Sequence, residues 1–181
     1  AAFEPEQFTN YELGAKWAIS QRLLAQAAVF RLERDNTTAP DPGNPGFTVQ
    51  TGSSRVEGFE ISLTGEVTPF WEASLGYTYL DGEITETTDS AVAGTRLQQL
   101  PEHQITAWNR FNLSEKLGVG VGVIYQDEQF ASYSGNVVLP DYIRVDTALF
   151  YTVSDRLSLQ VNVENLFDEN YYPSAHGDNN I

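Results

Sequence analysis

The chain has 181 residues, no cysteine, and a formal net charge of −15 with only 10 lysines and arginines. The lack of cysteine excludes disulfides, thiolate metal sites and thiol nucleophiles. The acidic balance excludes a nucleic-acid partner, because a phosphate-binding surface needs clustered lysine and arginine. The sequence contains no apolar run of about 18 residues, so it predicts no transmembrane helix.

The dominant pattern along the chain is an alternation of apolar and polar residues. From Tyr11 to Ile19, for example, every second residue is apolar. Such a period of two is typical of strands that have one apolar face. It predicts no helix and about eight antiparallel strands, at roughly 9–19, 23–35, 53–67, 71–83, 103–113, 117–127, 142–152 and 156–166.

The predicted connections alternate in length. Tight turns occupy 20–22, 68–70, 114–116 and 153–155, whereas long polar connections occupy 36–52, 84–102 and 128–141, with another opening at 167. Short turns at one edge and long loops at the other are typical of outer-membrane barrels. The sequence therefore predicts an all-β fold: a transmembrane β-barrel segment, arranged as an up-and-down meander.

The placement of aromatic residues favours the membrane barrel over a soluble sandwich or a lipocalin-like barrel, whose apolar faces also alternate. Aromatic residues fall at the ends of the apolar faces, as bilayer interfaces require. They are Tyr11, Trp17, Trp71, Tyr77, Tyr79, Phe111, Tyr125 and Tyr151. Trp108 breaks this pattern, because it lies in phase with polar residues.

Several segments carry a family resemblance in their order and spacing. They are Asn10-Tyr11-Glu12-Leu13-Gly14-Ala15-Lys16-Trp17, Ala28-Val29-Phe30-Arg31-Leu32, Ser54-Arg55-Val56-Glu57-Gly58-Phe59-Glu60, Leu75-Gly76-Tyr77-Thr78-Tyr79-Leu80-Asp81, and Val161-Asn162-Val163-Glu164-Asn165-Leu166-Phe167-Asp168 followed by Tyr171-Tyr172. Together they resemble the C-terminal half of TonB-dependent outer-membrane receptors, particularly the siderophore group.

The resemblance implies a barrel of about 22 strands with a plugged lumen, in the outer membrane of a Gram-negative bacterium. It implies uptake of a ferric siderophore, contact with outer-membrane lipid, and energy supplied by TonB through the plug, without an enzymatic step or a cofactor. Residues 1–181 would then be the C-terminal part of the barrel. The plug domain and the final strand would be absent, and Ile181 would lie in the last external loop.

The residues that could carry chemistry give no catalytic or metal motif. No converging ligands surround either histidine in the sequence, and His103 is interpreted as structural. The glycines from 118 to 122 lie on one face of a strand and lack the pattern of a dinucleotide-binding loop. Acidic residues in the loops are interpreted as solvated charges.

Ligand contact is predicted instead for residues in or directly beside the long loops. Arg96 could pair with an anionic chelate, and aromatic rings could stack on catechol or hydroxamate groups. The candidates are Arg96, Phe130, Tyr133, Tyr142 and His176.

Two other functions remain open at this point. One is a small, self-closed barrel of eight strands that acts as a structural or ligand-binding module. The other is a soluble ligand-binding or enzymatic β domain. Pairing between 9–19 and 156–166 would indicate closure, whereas two free edges would favour a segment of a larger barrel.

Overall fold

The computed structural model describes residues 3–41, 44 and 46–179, and most of them belong to one antiparallel sheet. Eight strands pair in the order β1-β2-β3-β4-β5-β6-β9-β10. The strands are β1 (Gln7–Ala18), β2 (Leu23–Pro40), β3 (Thr48–Thr68), β4 (Trp71–Glu86), β5 (His103–Asn112), β6 (Leu117–Gln126), β7 (Gln129–Phe130), β8 (Val138–Leu139), β9 (Tyr142–Ser154) and β10 (Leu157–Val163). A 3-10 helix follows at Gly177–Asn179. Within the described ranges, no helix is long and apolar enough to cross a membrane.

The predicted all-β meander is confirmed, but the first long loop is shorter than predicted. The sequence places a loop at 36–52, whereas pairing between β2 and β3 continues from Thr37 opposite Gly52 to Pro40 opposite Thr48. The register shifts beside Asn36, which has a φ of 60°, so a bulge lets the strands continue beyond it. Of the residues that suggested this loop, Pro42, Gly43 and Pro45 lie outside the described residues.

Three other boundaries differ from the prediction. Strand β4 takes the first three residues of the predicted 84–102 loop, and the predicted 128–141 loop contains the β7–β8 hairpin. The last strand ends at Val163 instead of 166. Asn165 turns the chain there with a φ of 51°, and its backbone N–H donates to Asp146 Oδ1 at 2.8 Å.

The sheet is open. Strands β1 and β10 are its two edges, and within the described residues they do not pair with each other. The eight strands therefore do not close into a barrel of their own, and this alternative is wrong for the structure. Two free edges agree with a segment of a larger barrel, since edges that stay unpaired are a liability in a sheet.

The antiparallel register sorts the side chains onto two faces. Leu13, Val29 and Phe59 align across β1, β2 and β3. They belong to an aliphatic face that continues through Ile61, Leu75, Ile105, Val121, Leu149 and Val161. Leu13 is 75% exposed and Val161 is 59% exposed, so no second layer among the described residues covers these side chains. The sandwich alternative is therefore wrong.

Aromatic residues bound the aliphatic face at both ends. Trp71 stacks on Phe111 near the short turns, and its indole N–H donates to Asn109 Oδ1 at 3.0 Å. Near the long loops, Phe59 packs against Tyr77 and Tyr79. Eight residue steps separate Trp71 from Tyr79 on β4, on the order of 26 Å along the strand, which is comparable to the apolar band of outer-membrane barrels.

Beyond the aromatic residues near the long loops, the same face becomes ionic. Arg31 lies 3.5 Å from Glu57, and Arg55 lies 2.6 Å from Glu83. Exposed ion pairs of this kind contribute little to stability. Their position is informative, because charges are excluded from hydrocarbon and therefore mark where an apolar medium would end.

The opposite, polar face explains the anomalous position of Trp108. Its indole ring lies over Gly120 and Gly122 on the neighbouring strand, where a Cβ would come within 2.6 Å and 2.7 Å of ring atoms. The glycines therefore make room for the tryptophan, and the ring covers backbone that has no side chains. The two features that fit no motif in the sequence are one packing unit.

Gly58, another glycine on the polar face, lies where a side chain would not fit. At Gly58, a Cβ would collide with the Tyr79 carbonyl oxygen and lie 2.8 Å from the ring of Phe30. Phe30 aligns with Gly58 across β2 and β3. This pairing places Phe30 on the polar face and Val29 on the aliphatic one.

Substitution of Gly122 by Ala will destabilise the protein by about 1–3 kcal/mol, because the new methyl group overpacks the site against Trp108. Thermal unfolding in detergent, followed by circular dichroism, measures the effect as a lower Tm. The matched control is Gly118→Ala on the same strand and face, where the nearest atom is Asn112 Oδ1 at 3.3 Å. In a Trp108→Ala background, Gly122→Ala should no longer lower the Tm. An equally lowered Tm in that background would contradict the proposed packing of Trp108 on the glycines.

Candidate functional site

The loops and strand ends near the long-loop edge bring the predicted ligand-contact residues into three separate groups. Arg96 and Phe130 form the first: the guanidinium lies 5.8 Å from the ring centroid. Arg96 also lies 3.0 Å from Glu102 Oε1. Its backbone bridges to Glu83, which belongs to the ionic part of the aliphatic face. The group therefore fastens the loop to the strand end.

Tyr133 lines a cavity of about 220 Å³ on the polar face, which we call the rim pocket. The rim pocket is lined by Phe8, Leu32, Arg34, Ser54, Val56, Leu97, Gln98, Leu100 and Tyr133. A second cavity of about 110 Å³ shares Arg34, Ser54 and Tyr133 with it and adds Glu6, Thr88 and Asp89. The site thus combines aliphatic walls, two aromatic rings and both signs of charge.

Arg34 is the functional candidate that sequence reasoning missed. Its guanidinium lies 5.7 Å from the Phe8 ring centroid and donates to both Glu6 carboxylate oxygens, with Nη2 at 2.8 Å from each. These contacts orient the guanidinium while its side chain stays 43% exposed. Its position in the alternation could have identified it. Arg34 lies on the polar face, whereas nearby Arg31 lies on the aliphatic one.

Tyr142 belongs to a packed cluster at the start of β9. Only 8% of it is exposed, and its ring lies 4.8 Å from that of Tyr171. The Tyr171 hydroxyl accepts a hydrogen bond from Arg144 Nη1 at 2.9 Å, and Arg144 Nη2 donates to Asp146 at 2.8 Å. The cluster attaches the terminal segment to the sheet, which leaves little of the Tyr142 ring for a ligand.

His176 lies in the same terminal segment, which is fastened to the β7–β8 connection. Ser132 and Ser134 donate from their hydroxyls to the Asp178 carboxylate at 2.6 and 2.7 Å. Gln129 adds a hydrogen bond from Nε2 to the Pro173 carbonyl at 3.0 Å. His176 itself is exposed and is not among the residues that line the rim pocket.

The serine hydroxyls also shift the titration of Asp178. Hydrogen bonds from Ser132 first, and then from Ser134, hold the pKa of the Asp178 carboxyl below its usual value. The charged carboxylate accepts both bonds, so the folded structure favours ionisation. The contact between the two loops therefore depends on pH.

Two further features concern the wall beneath these loops. On the polar face, a hollow of about 520 Å³ lies beside Trp108 and contains Arg110, whose guanidinium lies 4.4 Å from the Phe150 ring centroid. The buried Arg110 Nε makes no hydrogen bond within the described part of the chain. On the aliphatic face, a hydrogen bond of 2.9 Å joins His103 Nδ1 to the Tyr77 hydroxyl.

His103 does not stand alone, contrary to the expectation that no ligands converge on it. One ligand atom each of Glu102, His103 and Asp127 lies within 4.8 Å of the others. The spacing in the sequence hides this group, because Asp127 reaches His103 only through the pairing of β5 with β6.

The family is decided by comparison with known domains. Residues 1–166 match the family described as TonB dependent receptor-like, beta-barrel. The chain belongs to this family of TonB-dependent receptors. Its members are outer-membrane transporters of Gram-negative bacteria rather than enzymes.

Curated TonB-dependent receptors resemble the chain over nearly its whole length. The probable TonB-dependent siderophore receptor PiuA of Acinetobacter baumannii is 33% identical over 184 residues, which cover 96% of this chain and 24% of PiuA. The catecholate siderophore receptor Fiu of Escherichia coli K12 is 35% identical over 180 residues, which cover 96% of this chain and 23% of Fiu. The chain therefore spans about a quarter of the length of these relatives.

Solved structures of TonB-dependent receptors share the fold. The closed form of the ferric-catecholate import receptor Fiu from E. coli K12 superposes with a TM-score of 0.86 at 34% identity, covering 95% of this chain and 25% of that one. The siderophore receptor PiuA from A. baumannii gives 0.84 at 33% identity, covering 96% and 26%. The open sheet is thus a segment of such a barrel, its polar face is the lumenal one, and its aliphatic face meets lipid.

Attachment of the terminal segment will weaken as the pH falls below about 4, the ordinary pKa of aspartate. A carboxyl whose pKa is lowered by folding contributes stability above its unfolded value, and this contribution is lost as the pH falls through the lowered pKa. A spin label at Ser174 in the full-length receptor should gain mobility from pH 7 to pH 3. Asp178→Asn should remove this dependence and Asp168→Asn in the same segment should keep it; identical profiles in all three would contradict the assignment.

Proposed function

We propose that this chain forms part of the wall and outer vestibule of an outer-membrane receptor that imports a ferric siderophore with energy from TonB. The observation that carries the proposal is the two-faced sheet: lipid-facing aliphatic residues on one side and, at the loop edge of the other, a rim pocket with a cation and aromatic rings. In this proposal residues 1–181 are the C-terminal part of the barrel, preceding its final strand.

The rim pocket supplies the contacts that a ferric chelate requires. Such chelates carry anionic oxygen groups, and Arg34 can donate from a guanidinium already oriented by Glu6 and Phe8. Tyr133 and Phe8 offer ring surfaces to planar aromatic groups. Because the related receptor Fiu is named for catecholates, a ferric catecholate is the first chelate to test.

The loop candidates have supporting roles in the proposal. Arg96 and Phe130 hold the 87–102 loop beside the vestibule, and Tyr142 supports the terminal segment through Tyr171. His176 is proposed as an exposed contact at the mouth. None of these residues needs to perform chemistry, since transport changes no covalent bond of the cargo.

Arg110 supports the presence of a lumen-filling segment, which is the proposed plug. Its buried Nε makes no hydrogen bond to the described residues, and an unsatisfied buried donor costs roughly 1–3 kcal/mol. A carboxylate or backbone carbonyl from a segment within the lumen would satisfy it. TonB would act on the receptor through that segment.

Transport is tested with the full-length receptor in cells that lack their own catecholate receptors. Uptake of radiolabelled iron as a ferric catecholate should require both the receptor and TonB, and a ferric hydroxamate serves as the comparison chelate. If the receptor supports uptake of neither chelate, the proposed function is wrong. Uptake of the hydroxamate alone would keep import and change the cargo class.

The rim pocket is tested by a matched pair of arginines on β2. Arg34→Ala should raise the Kd for the ferric chelate roughly tenfold or more, since hydrogen bonds to charged groups contribute about 1.5–3 kcal/mol. Arg31→Ala, on the lipid-facing side of the same strand, should leave Kd unchanged. Quenching of tryptophan fluorescence measures both, and equal effects of the two substitutions would argue against the rim pocket.

A further inference from the structure

Glu102, His103 and Asp127 meet on the lipid-facing side of the sheet, at its long-loop end. Strand pairing brings them together: Gln104 aligns with Gln126, so the next residues outward are His103 and Asp127, and the Asp127 N–H donates to the His103 carbonyl at 2.9 Å. One ligand atom of each of the three side chains lies within 4.8 Å of the others. Their convergence thus follows from backbone register.

Each of the three side chains is held through one of its two polar atoms. His103 Nδ1 shares a hydrogen bond with the Tyr77 hydroxyl at 2.9 Å, and Glu102 Oε1 lies 3.0 Å from Arg96 Nη2. Asp127 Oδ1 accepts from the backbone N–H of the next residue at 2.9 Å. Metal-binding sites commonly have such outer partners, which orient the ligand groups.

We propose that Glu102, His103 and Asp127 bind a divalent transition-metal ion such as Zn²⁺. One imidazole nitrogen and two carboxylate oxygens are ligands that Zn²⁺ accepts, and three protein ligands leave its fourth position to water. The imidazole disfavours Mg²⁺ and Ca²⁺, which take oxygen ligands. The two carboxylates balance the charge of the ion, and the group is half-buried, which limits competition from bulk water.

The proposed site is separate from the path of the cargo. His103 aligns with Tyr79 and packs on its ring at a centroid distance of 5.3 Å, so the imidazole belongs to the lipid-facing aromatic belt. The rim pocket lies on the opposite face. A bound ion would join β5, β6 and the loop that precedes β5, and would stiffen the wall at the outer membrane boundary. This inference does not depend on the identity of the siderophore.

The test is a titration of the full-length, chelator-treated receptor in detergent with Zn²⁺, followed by isothermal calorimetry. One Zn²⁺ should bind at this site. His103→Ala and Asp127→Asn should each raise the Kd for Zn²⁺ at least tenfold. Tyr77→Phe should raise it by about tenfold through loss of the orienting hydrogen bond. His176→Ala, which removes the other histidine of the chain, is the matched control and should leave this affinity unchanged.

A second measurement separates loss of metal binding from loss of folding. Co²⁺ in place of Zn²⁺ should give visible absorption bands that His103→Ala abolishes, while circular dichroism shows that the variant retains its sheet. If His103→Ala does not fold, Asp127→Asn decides. The proposal is overturned if the wild-type receptor binds no Zn²⁺, if these variants bind it as tightly as wild type, or if only His176→Ala removes binding.

Discussion

Backbone hydrogen bonding between neighbouring strands is the constraint on which the structure depends. Hydrocarbon offers no partner for a peptide N–H or carbonyl, so a chain that crosses it must satisfy these groups internally. The eight strands do so by pairing with their neighbours in the sheet, and only the outer edges of β1 and β10 lack a partner among the described residues. Once the ladder is fixed, the period of two assigns every side chain to lipid or to the lumen, and the aromatic belts, ionic margin and loops take their places along it.

The sequence predicts the features that this period controls and misses those that depend on cross-strand neighbours. The alternation around Leu13 and Leu75 specifies strands and their faces without knowledge of a partner. Trp108 looks misplaced in the same alternation, because the glycines that accommodate it are on another strand. The bulge after Arg34 is likewise invisible, since it requires Asn36 to adopt a positive φ and the strands to resume pairing afterwards.

The functional candidates follow the same division. Loop chemistry points to Arg96 and Phe130, and the structure does bring those two together. Arg34 escapes notice, because it lies within a strand and its partner Glu6 is 28 residues away. Sequence reasoning about cargo contacts therefore favours loops, whereas the proposed contact Arg34 belongs to a strand of the wall.

The strands differ greatly in length, and this has a consequence for the shape of the receptor. Strand β3 has 21 residues and β5 has 10, which corresponds to about 70 Å and about 33 Å along the strand. The additional residues lie at the long-loop edge. The wall is therefore taller at β2 and β3 than at β5 and β6. The outer edge of the segment is therefore slanted, because the paired ends of β2 and β3 continue beyond Arg34 whereas β5 and β6 end lower.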